Sequence, residues 1–276
     1  MLSLKIVLSR RNDSLIPKII NYCWFGRNPL PKLAQKCIRS WKKYCPDYEI
    51  IQWNEDNFDI SAAPLYVRQA YEAKKWAFVT DYVRLWAVYN HGGIYLDTDV
   101  ELIKKLEPLL CHQAYFGFED GMNVNTGLGF GAVKGNALVL EIMKDYEGVS
   151  FGIPGETMVA CPKMNTRIFL RHGLVQENRK QFLDGDILIL PTEYLCPKSM
   201  IDGIIRKTQN TYSIHHYDSS WITEEQQLAR RKSWKRLQQM IKWHAIVKTP
   251  NRIAMKVLGK SRYDKLKDAI INLFSD

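Results

Sequence analysis

Two carboxylates, Asp97 and Asp99, follow the apolar run Ile94-Tyr95-Leu96 and stand at i and i+2. In extended backbone that spacing turns both side chains to the same side. Anions held so close repel unless something positive sits between or in front of them. A divalent cation is the natural partner, because Mg2+ and Mn2+ favour carboxylate oxygens and keep coordination positions open for phosphate oxygens. The string Gly92-Gly93-Ile94-Tyr95-Leu96-Asp97-Thr98-Asp99 therefore suggests a metal–diphosphate site. A bare Asp-x-Asp is more often a charged turn at a strand end, so the surrounding elements have to carry the case.

Residues 76–89 have helical periodicity, with Phe78, Tyr82, Leu85 and Tyr89 on one apolar stripe. Gly92-Gly93 ends that helix and turns the chain into the strand. Asp81 and Arg84, three apart, share a helix face beside the stripe. They form either an ordinary i, i+3 ion pair or a carboxylate and a guanidinium at the edge of the same cleft as Asp97 and Asp99. The pattern elsewhere predicts strands over 19–24, 48–53, 94–96, 114–118, 127–133, 187–190 and 212–216, and helices over 31–43, 64–75, 77–90 and 136–146. Such alternation argues for an α/β fold with a mainly parallel sheet flanked by helices. Ligands of such sheets bind outside the carboxyl ends of the strands, where Asp97 falls.

The run Thr80-Asp81-x-x-Arg84, followed by Gly92-Gly93-x-Tyr95-x-Asp97-x-Asp99, resembles the signature of sugar-transferring enzymes with the GT-A fold. The closest likeness is to glycosyltransferase family 32 and the glucosylating domains of the large clostridial toxins. Residues 16–26, containing Trp24, are similar to that group's opening strand, and His216-Tyr217-Asp218-Ser219-Ser220-Trp221 resembles its closing loop. The resemblance implies that a divalent ion, Mn2+ or Mg2+, is held by Asp99 with His216 and Ser219. It implies that Asp97 contacts the ribose, the sugar or the metal's water shell, and that Tyr95 supports the nucleotide side. Asp81 and Arg84 would clamp sugar hydroxyls and the diphosphate, Trp24 would stack on the base, and Trp221 would hydrogen-bond the leaving phosphate. Asn125 would lie near the sugar or the acceptor. The toxin relatives carry a carboxylate where this chain has His216, and imidazole remains a legitimate Mn2+ ligand. The same resemblance implies a nucleotide-sugar donor, a UDP-sugar by the toxin-like pattern although family 32 also includes users of GDP-mannose, and transfer with retention of anomeric configuration. The acceptor would be a saccharide, lipid-linked in capsule or lipopolysaccharide synthesis.

Against these roles, core packing is the commoner use of a tryptophan such as Trp24 or Trp221, and a hydrogen-bonded strand histidine is the ordinary reading of His216. Glu119, Asp120 and Glu156 read as surface loop acids. The six cysteines are scattered without a Cys-x-x-Cys pair, which argues against zinc and against a disulfide framework. The first residues are too short and end too basic for a secretion signal, and no apolar run reaches membrane-spanning length, so the cytoplasm is the expected location. The charge is lopsided: residues 222–276 carry 13 basic against 5 acidic residues, a net +8 of the chain's +10. This predicts a catalytic domain over 1–221 and a basic helical extension over 222–276. With Trp234, Leu237, Ile241, Trp243, Ile246 and Val247 on its apolar side, the extension suits either an anionic membrane surface or a solvated appendage. No nucleic-acid motif accompanies the basic residues. Two other classes fit less well. A haloacid-dehalogenase-type phosphatase would use Asp97 as nucleophile and Asp99 as acid/base, but needs later magnesium-binding acids for which only Asp184-Gly185-Asp186 is available. A non-catalytic sugar-nucleotide or membrane-binding module would leave the whole motif set idle.

Overall fold

The computed structural model describes residues 15–152, 161–218 and 222–273. In chain order the elements are β1 (Ile19–Cys23), α1 (Lys32–Tyr44), β2 (Glu49–Trp53), α2 (Leu65–Glu72), α3 (Trp76–His91), β3 (Gly93–Tyr95), β4 (Val100–Leu102), β5 (Ala114–Gly117), β6 (Phe130–Ala132), α4 (Ala137–Asp145), α5 (Cys161–Arg171), β7 (Gln181–Leu183), β8 (Ile187–Leu190), α6 (Thr192–Leu195), β9 (Ser213–His215), α7 (Glu224–Leu258) and α8 (Lys260–Leu273). Seven strands form one sheet in the order β2-β1-β3-β6-β5-β8-β7, and β4 pairs with β9 in a second, two-stranded sheet. In the larger sheet only β6 and β7 run against the rest. It is thus the mainly parallel, mixed α/β sheet expected of a GT-A fold.

The carboxyl ends of β1, β3 and β5 lie on one edge of the sheet, and β6 enters from that edge. Cys23, Tyr95, Phe116, Phe130, Val83 and Val88 belong to the core cluster that buries the sheet against α3. The strands are short because the chain turns sharply after them. Expected strand 127–133 pairs only over Phe130–Ala132, since Gly129 has φ +115° and breaks the ladder before it. Expected helix 64–75 ends at Glu72, with Lys74 in the left-handed region at φ +55°. The three-residue strands β4 and β7 show too little alternation to be read from sequence.

Asn21 ties the middle of the sheet together. It is fully buried, donates through Nδ2 to the carbonyls of Gly92 (3.2 Å) and Ile94 (3.3 Å), and accepts from Trp53 Nε1 at 2.9 Å. One side chain therefore joins β1 to β2 and to the turn that launches the acid motif. Gly93 beside it allows the close approach: a Cβ there would sit 2.6 Å from the Ile19 carbonyl oxygen. The smaller sheet is tied down by α1, where Trp41 Nε1 donates to Val100 O at 2.7 Å and Ser40 Oγ accepts from Leu102 N at 2.9 Å.

By its internal contacts the chain divides into two units, one running to Met200 and including the described part of 205–222, the other formed by Ile201–Ile204 with the residues from Thr223 onward. In the second unit, Thr223 and Gln226 cap α7 reciprocally, Thr223 Oγ1 accepting from Gln226 N and Thr223 N donating to Gln226 Oε1. Gln238 donates to Asp202 O at 2.7 Å, and Gly203 lies so close to Trp234 that a Cβ would meet its ring at 2.6 Å. Trp234 and Leu237 are half-buried as the apolar face requires, whereas Ile241 is exposed together with Leu228 and Met240. The side chains of Trp243, Ile246 and Val247 lie outside the described residues. Among the described residues, no helix is long and apolar enough to cross a membrane.

Replacing Asn21 by Ala leaves the Trp53 indole N–H and the Gly92 carbonyl without their partner inside the core. At roughly 1–3 kcal/mol for each buried polar group left unmatched, the variant should lose about 3 kcal/mol in chemical denaturation. A loss below about 1 kcal/mol would show that the strands hold this register without the clasp.

Candidate active site

α3 runs from Trp76 to His91 without Gly or Pro and stops where Gly92, at φ +73°, donates back to Val88 O at 2.8 Å. The helix is buried on most of its surface, so Asp81 and Arg84 are interior residues rather than rim residues. Arg84 Nη2 lies 3.1 Å from Asp81 Oδ1 and 3.4 Å from Asp97 Oδ1. Its Nε donates to Thr80 O at 3.0 Å, Nη1 reaches Thr126 Oγ1 at 3.5 Å, and the guanidinium lies over the Tyr95 ring at 5.2 Å. The i, i+3 pair and the acid motif thus meet on one buried cation. Burial pushes the Asp81 carboxyl up to about 6 against the pull of Arg84, and raises Asp97 in the same way. Burial would also discharge Arg84, but Asp97 and Asp81 outweigh it and hold the guanidinium firmly protonated.

Asp97 and Asp99 do not lie in extended backbone as their spacing suggests. They occupy a turn between β3 and β4, closed by Val100 N donating to Asp97 O at 2.9 Å. The two side chains nevertheless converge. Asp97 Oδ1 accepts from Tyr95 Oη at 2.9 Å, and Asp99 Oδ2 accepts from Asp218 N at 2.8 Å. His215 Nε2 stands 3.3 Å from Asp99 Oδ1. Asp97, Asp99 and His215 each present a ligand atom within 4.8 Å of the others, the one such group of three or more among the described residues. Burial opposes ionisation of Asp99, but the His215 charge and hydrogen bond, with the Asp218 N–H, hold it down at about 2. Burial likewise favours neutral His215, and Asp99 overrides it to raise the imidazole well above its usual range.

Two carboxylate oxygens and an imidazole nitrogen are the donor set of a borderline-hard divalent ion such as Mn2+. His215 Nδ1 is buried without a hydrogen-bond partner, which leaves the ring committed to the Asp99 side. The residues present therefore fit a divalent metal, held by Asp97, Asp99 and His215, with the His215 proton displaced on binding.

His215 takes the place the sequence assigned to His216. In β9, His215 pairs opposite Val100 of β4, which brings it beside Asp99; its neighbour faces the other way. His216 Nε2 binds Glu101 Oε2 at 2.8 Å, Lys36 shares that oxygen at 2.7 Å, and only the His216 backbone N–H reaches Asp99 O. Tyr95 lies beside the same cluster. It is buried at the end of β3, and its hydroxyl donates to the Asp97 carboxylate beneath Arg84. Trp24 is half-buried just beyond the carboxyl end of β1, on the acid cluster's edge of the sheet, with Nε1 donating to Asn28 O at 2.6 Å. Asn125 is buried near Asp97, its Oδ1 accepting from Gly127 N at 2.7 Å. Ser219 and Trp221 lie outside the described residues, as does Glu156. Glu119, read as surface, is buried. Thr126, Cys161 and Asn165 form a buried polar backing to Arg84 that no spacing announces, with Asn165 Nδ2 on Thr126 Oγ1 and Cys161 Sγ at 3.2 Å each. Asp184 and Asp186, which a phosphatase would need at the acid pair, instead bind His172 and His112 at the opposite edge of the sheet.

A buried arginine between two acids, with a third acid paired to His215, thus lies at the carboxyl edge of a mainly parallel sheet, the side on which such sheets bind ligands. Residues 31–116 match the model of the glycosyltransferase sugar-binding region containing the DXD motif. Over that stretch, under a third of its length, the chain is similar to the sugar-binding region of the DXD glycosyltransferases, and its likeness to the family 32 type rests on that region. A divalent metal is implied with it. Among curated proteins it is 29% identical over 143 residues to inositol phosphoceramide mannosyltransferase 3 of Schizosaccharomyces pombe (strain 972 / ATCC 24843), covering 50% of this chain and 39% of that protein. It is 28% identical over 148 residues to the mannosyl phosphorylinositol ceramide synthase CSH1 of Saccharomyces cerevisiae (strain ATCC 204508 / S288c), covering 48% and 36%. The chain thus spans less than two thirds of the length of these relatives. Among solved structures it is similar to the PaToxG glycosyltransferase, with a TM-score of 0.46, 18% identity, and 62% of this chain and 77% of that one covered. It is also similar to a glycosyltransferase involved in glycosylation of the major capsid of PBCV-1, with a TM-score of 0.42, 15% identity, and coverage of 79% and 99%.

Gly127 is the residue against which Asp97 rests. A Cβ there would lie 2.3 Å from Asp97 Oδ2, and 3.1 Å from both Arg84 Nη1 and Asn125 Oδ1. Gly127→Ala should therefore drive Asp97 off its position and weaken Mn2+ binding by at least about tenfold, the effect seen when ligand supports are disturbed. Calorimetry gives the affinity and thermal melting checks the fold; unchanged Mn2+ affinity would remove Asp97 from the metal site.

Proposed function

We propose that the protein is a metal-dependent glycosyltransferase that moves a hexosyl group from a nucleotide-sugar to a saccharide or lipid-linked acceptor. The observation that carries this reading is the convergence of Asp97, Asp99 and His215 beside the buried Asp81–Arg84 pair. Cleaving a sugar–diphosphate bond leaves negative charge on the departing diphosphate while the sugar becomes oxocarbenium-like. A bound divalent ion supplies Lewis-acid stabilisation of that leaving group. Asp99 and His215 are the residues that would hold it, with Asp97 completing the set. Asp81 is turned by Arg84 to accept from sugar hydroxyls, and a buried, fully paired arginine keeps its partner carboxylates in place without reorganisation during the reaction. Trp24, on the same edge of the sheet and outside the core, is suited to stack on the base.

The names of the curated relatives favour a mannosyl donor, which would be GDP-linked, over the UDP-sugar suggested by the toxin-like pattern; both keep the same metal–diphosphate chemistry. Retention of configuration, Mn2+ as the working ion, and a role in capsule or lipopolysaccharide assembly belong to the same proposal. Titrating GDP and UDP separately into the protein, with Mn2+ and with chelator, tests it. One nucleotide should bind in the presence of Mn2+ only, and Asp99→Asn should abolish that dependence. If neither nucleotide binds in either condition, the transferase reading fails.

The extension adds a second proposal, an anionic membrane surface on the cytoplasmic side as the place of action. Arg231, Lys232, Lys235, Arg236 and Lys242 are exposed on α7, and so are Leu228, Met240 and Ile241. Basic and apolar side chains exposed together on one helix suit an anionic lipid interface. The chain should float with phosphatidylglycerol vesicles at low ionic strength, and come off as salt rises. Arg231→Glu with Lys235→Glu should lose binding; equal flotation of wild type and variant, or none for either, would refute the surface role.

A further inference from the structure

Glu119 stands at the head of a tight turn that follows β5. Its N–H donates to Asn123 O at 2.9 Å, its carbonyl accepts from Met122 N at 3.1 Å, and Phe118 and Val124 bridge just behind it. The turn folds the carboxylate inward, so that the residue is only 8% exposed. Among the described residues no lysine or arginine pairs with it. The His215 imidazolium acts on it from across the site, but a buried acid without a direct ion pair is costly and persists where it performs a task. Its side-chain hydrogen-bond partner among the described residues is Asn125, whose Nδ2 donates to Glu119 Oε2 at 2.8 Å.

A carboxylate only accepts, so Glu119 can take only the NH2 end of the Asn125 amide. The other end, Oδ1, is thereby directed at Gly127 N, 2.7 Å away. Gly127 in turn touches Asp97 at both ends: its Cα faces Asp97 Oδ2 with no room for a Cβ, and its carbonyl accepts from Asp97 N at 3.4 Å. If the amide turned over, its NH2 would face the Gly127 N–H, donor against donor, and the 125–127 stretch would have to move away from Asp97.

We infer that Glu119 is a positioning residue of the site: by fixing the orientation of the Asn125 amide it holds Gly127 against Asp97, and so holds Asp97 in the metal cluster. This rests on the transferase reading only for its effect on turnover; the effect on metal binding stands by itself. The acid acts at a distance from the reacting atoms, as the supporting shell of a metal site does.

The test compares Mn2+ affinity by calorimetry, kcat and KM for donor hydrolysis, and thermal melting. Glu119→Ala removes the acceptor and should weaken Mn2+ binding and lower kcat by about tenfold, with little change in donor KM. Glu119→Gln removes the same charge but keeps a carbonyl oxygen for Asn125 Nδ2, and should recover most of the lost affinity. The paired change Glu119→Gln with Asn125→Asp reverses donor and acceptor while preserving both bonds and the net charge. It should bind Mn2+ within about threefold of wild type, even if Glu119→Ala does not fold. The proposal is overturned if Glu119→Gln falls as far as Glu119→Ala, if Glu119→Ala matches wild type, or if the paired variant loses tenfold. A wild-type protein inactive on every donor, whose variants still show this pattern of Mn2+ affinity, would defeat the transferase reading and leave the positioning role intact.

Discussion

The site depends on Arg84 being buried and charged. Asp81, Asp97 and Asp99 sit within one low-dielectric edge of the fold, where uncompensated carboxylates would take up protons rather than ionise. Arg84 neutralises the first two, and His215 does the same for the third. A lysine could not replace the arginine here. The guanidinium contacts two carboxylates, the Thr80 carbonyl and the Thr126 hydroxyl at once, in directions that only a planar fork provides. Burial outweighs the pull of the shared cation on Asp81 and pushes its carboxyl up to about 6.

Geometry for that charge comes from two separate pieces of backbone. One is local, α3 followed immediately by the Gly92-Gly93 turn and β3, so that Arg84 and Asp97 meet across a short connection. The other is long-range: β9 pairs with β4 and carries His215 back to Asp99 over more than a hundred residues. α1 makes the second piece possible, because Trp41 and Ser40 hold β4 by its backbone while leaving its pairing edge free for β9. A match confined to residues 31–116 therefore covers the local half of the site and omits His215.

This division also explains what could be read from the sequence. The helix, its glycine stop, the strand and the acid pair are neighbours in the chain, and periodicity with turn chemistry was enough to assemble them and to expect Asp81, Arg84, Asp97 and Asp99 in one place. The sheet's mainly parallel character followed from the alternation of strands and helices. Identity of the histidine did not follow, because His215 and His216 are adjacent, and the choice between them is made by register against β4, a strand too short to show alternation. Nor did the backbone of the acid motif, where two carboxylates converge from a turn rather than from an extended strand. Glu119 was misread as surface for a related reason. The apolar run 114–118 leads into it much as Ile94–Leu96 leads into Asp97, but its burial depends on the turn that folds it back onto Asn125.

The glycines make the same point from the opposite side. Gly93 admits the Ile19 carbonyl and Gly127 admits the Asp97 carboxylate, each at a distance that excludes a β-carbon. Both are absences of side chain at which distant stretches of backbone approach the acid motif, and absence leaves no hydrophobic period to detect. What holds these contacts is polar. Asn21 fastens the turn before β3 to β2, and Asn125 fastens the stretch before β6 to the turn after β5, each using both ends of its amide. An amide satisfied at both ends has one orientation, so the backbone it joins has one spacing. The acid turn lies between those two amides, which is why a motif placed on a loop can still hold its carboxylates where a metal and a diphosphate would require them.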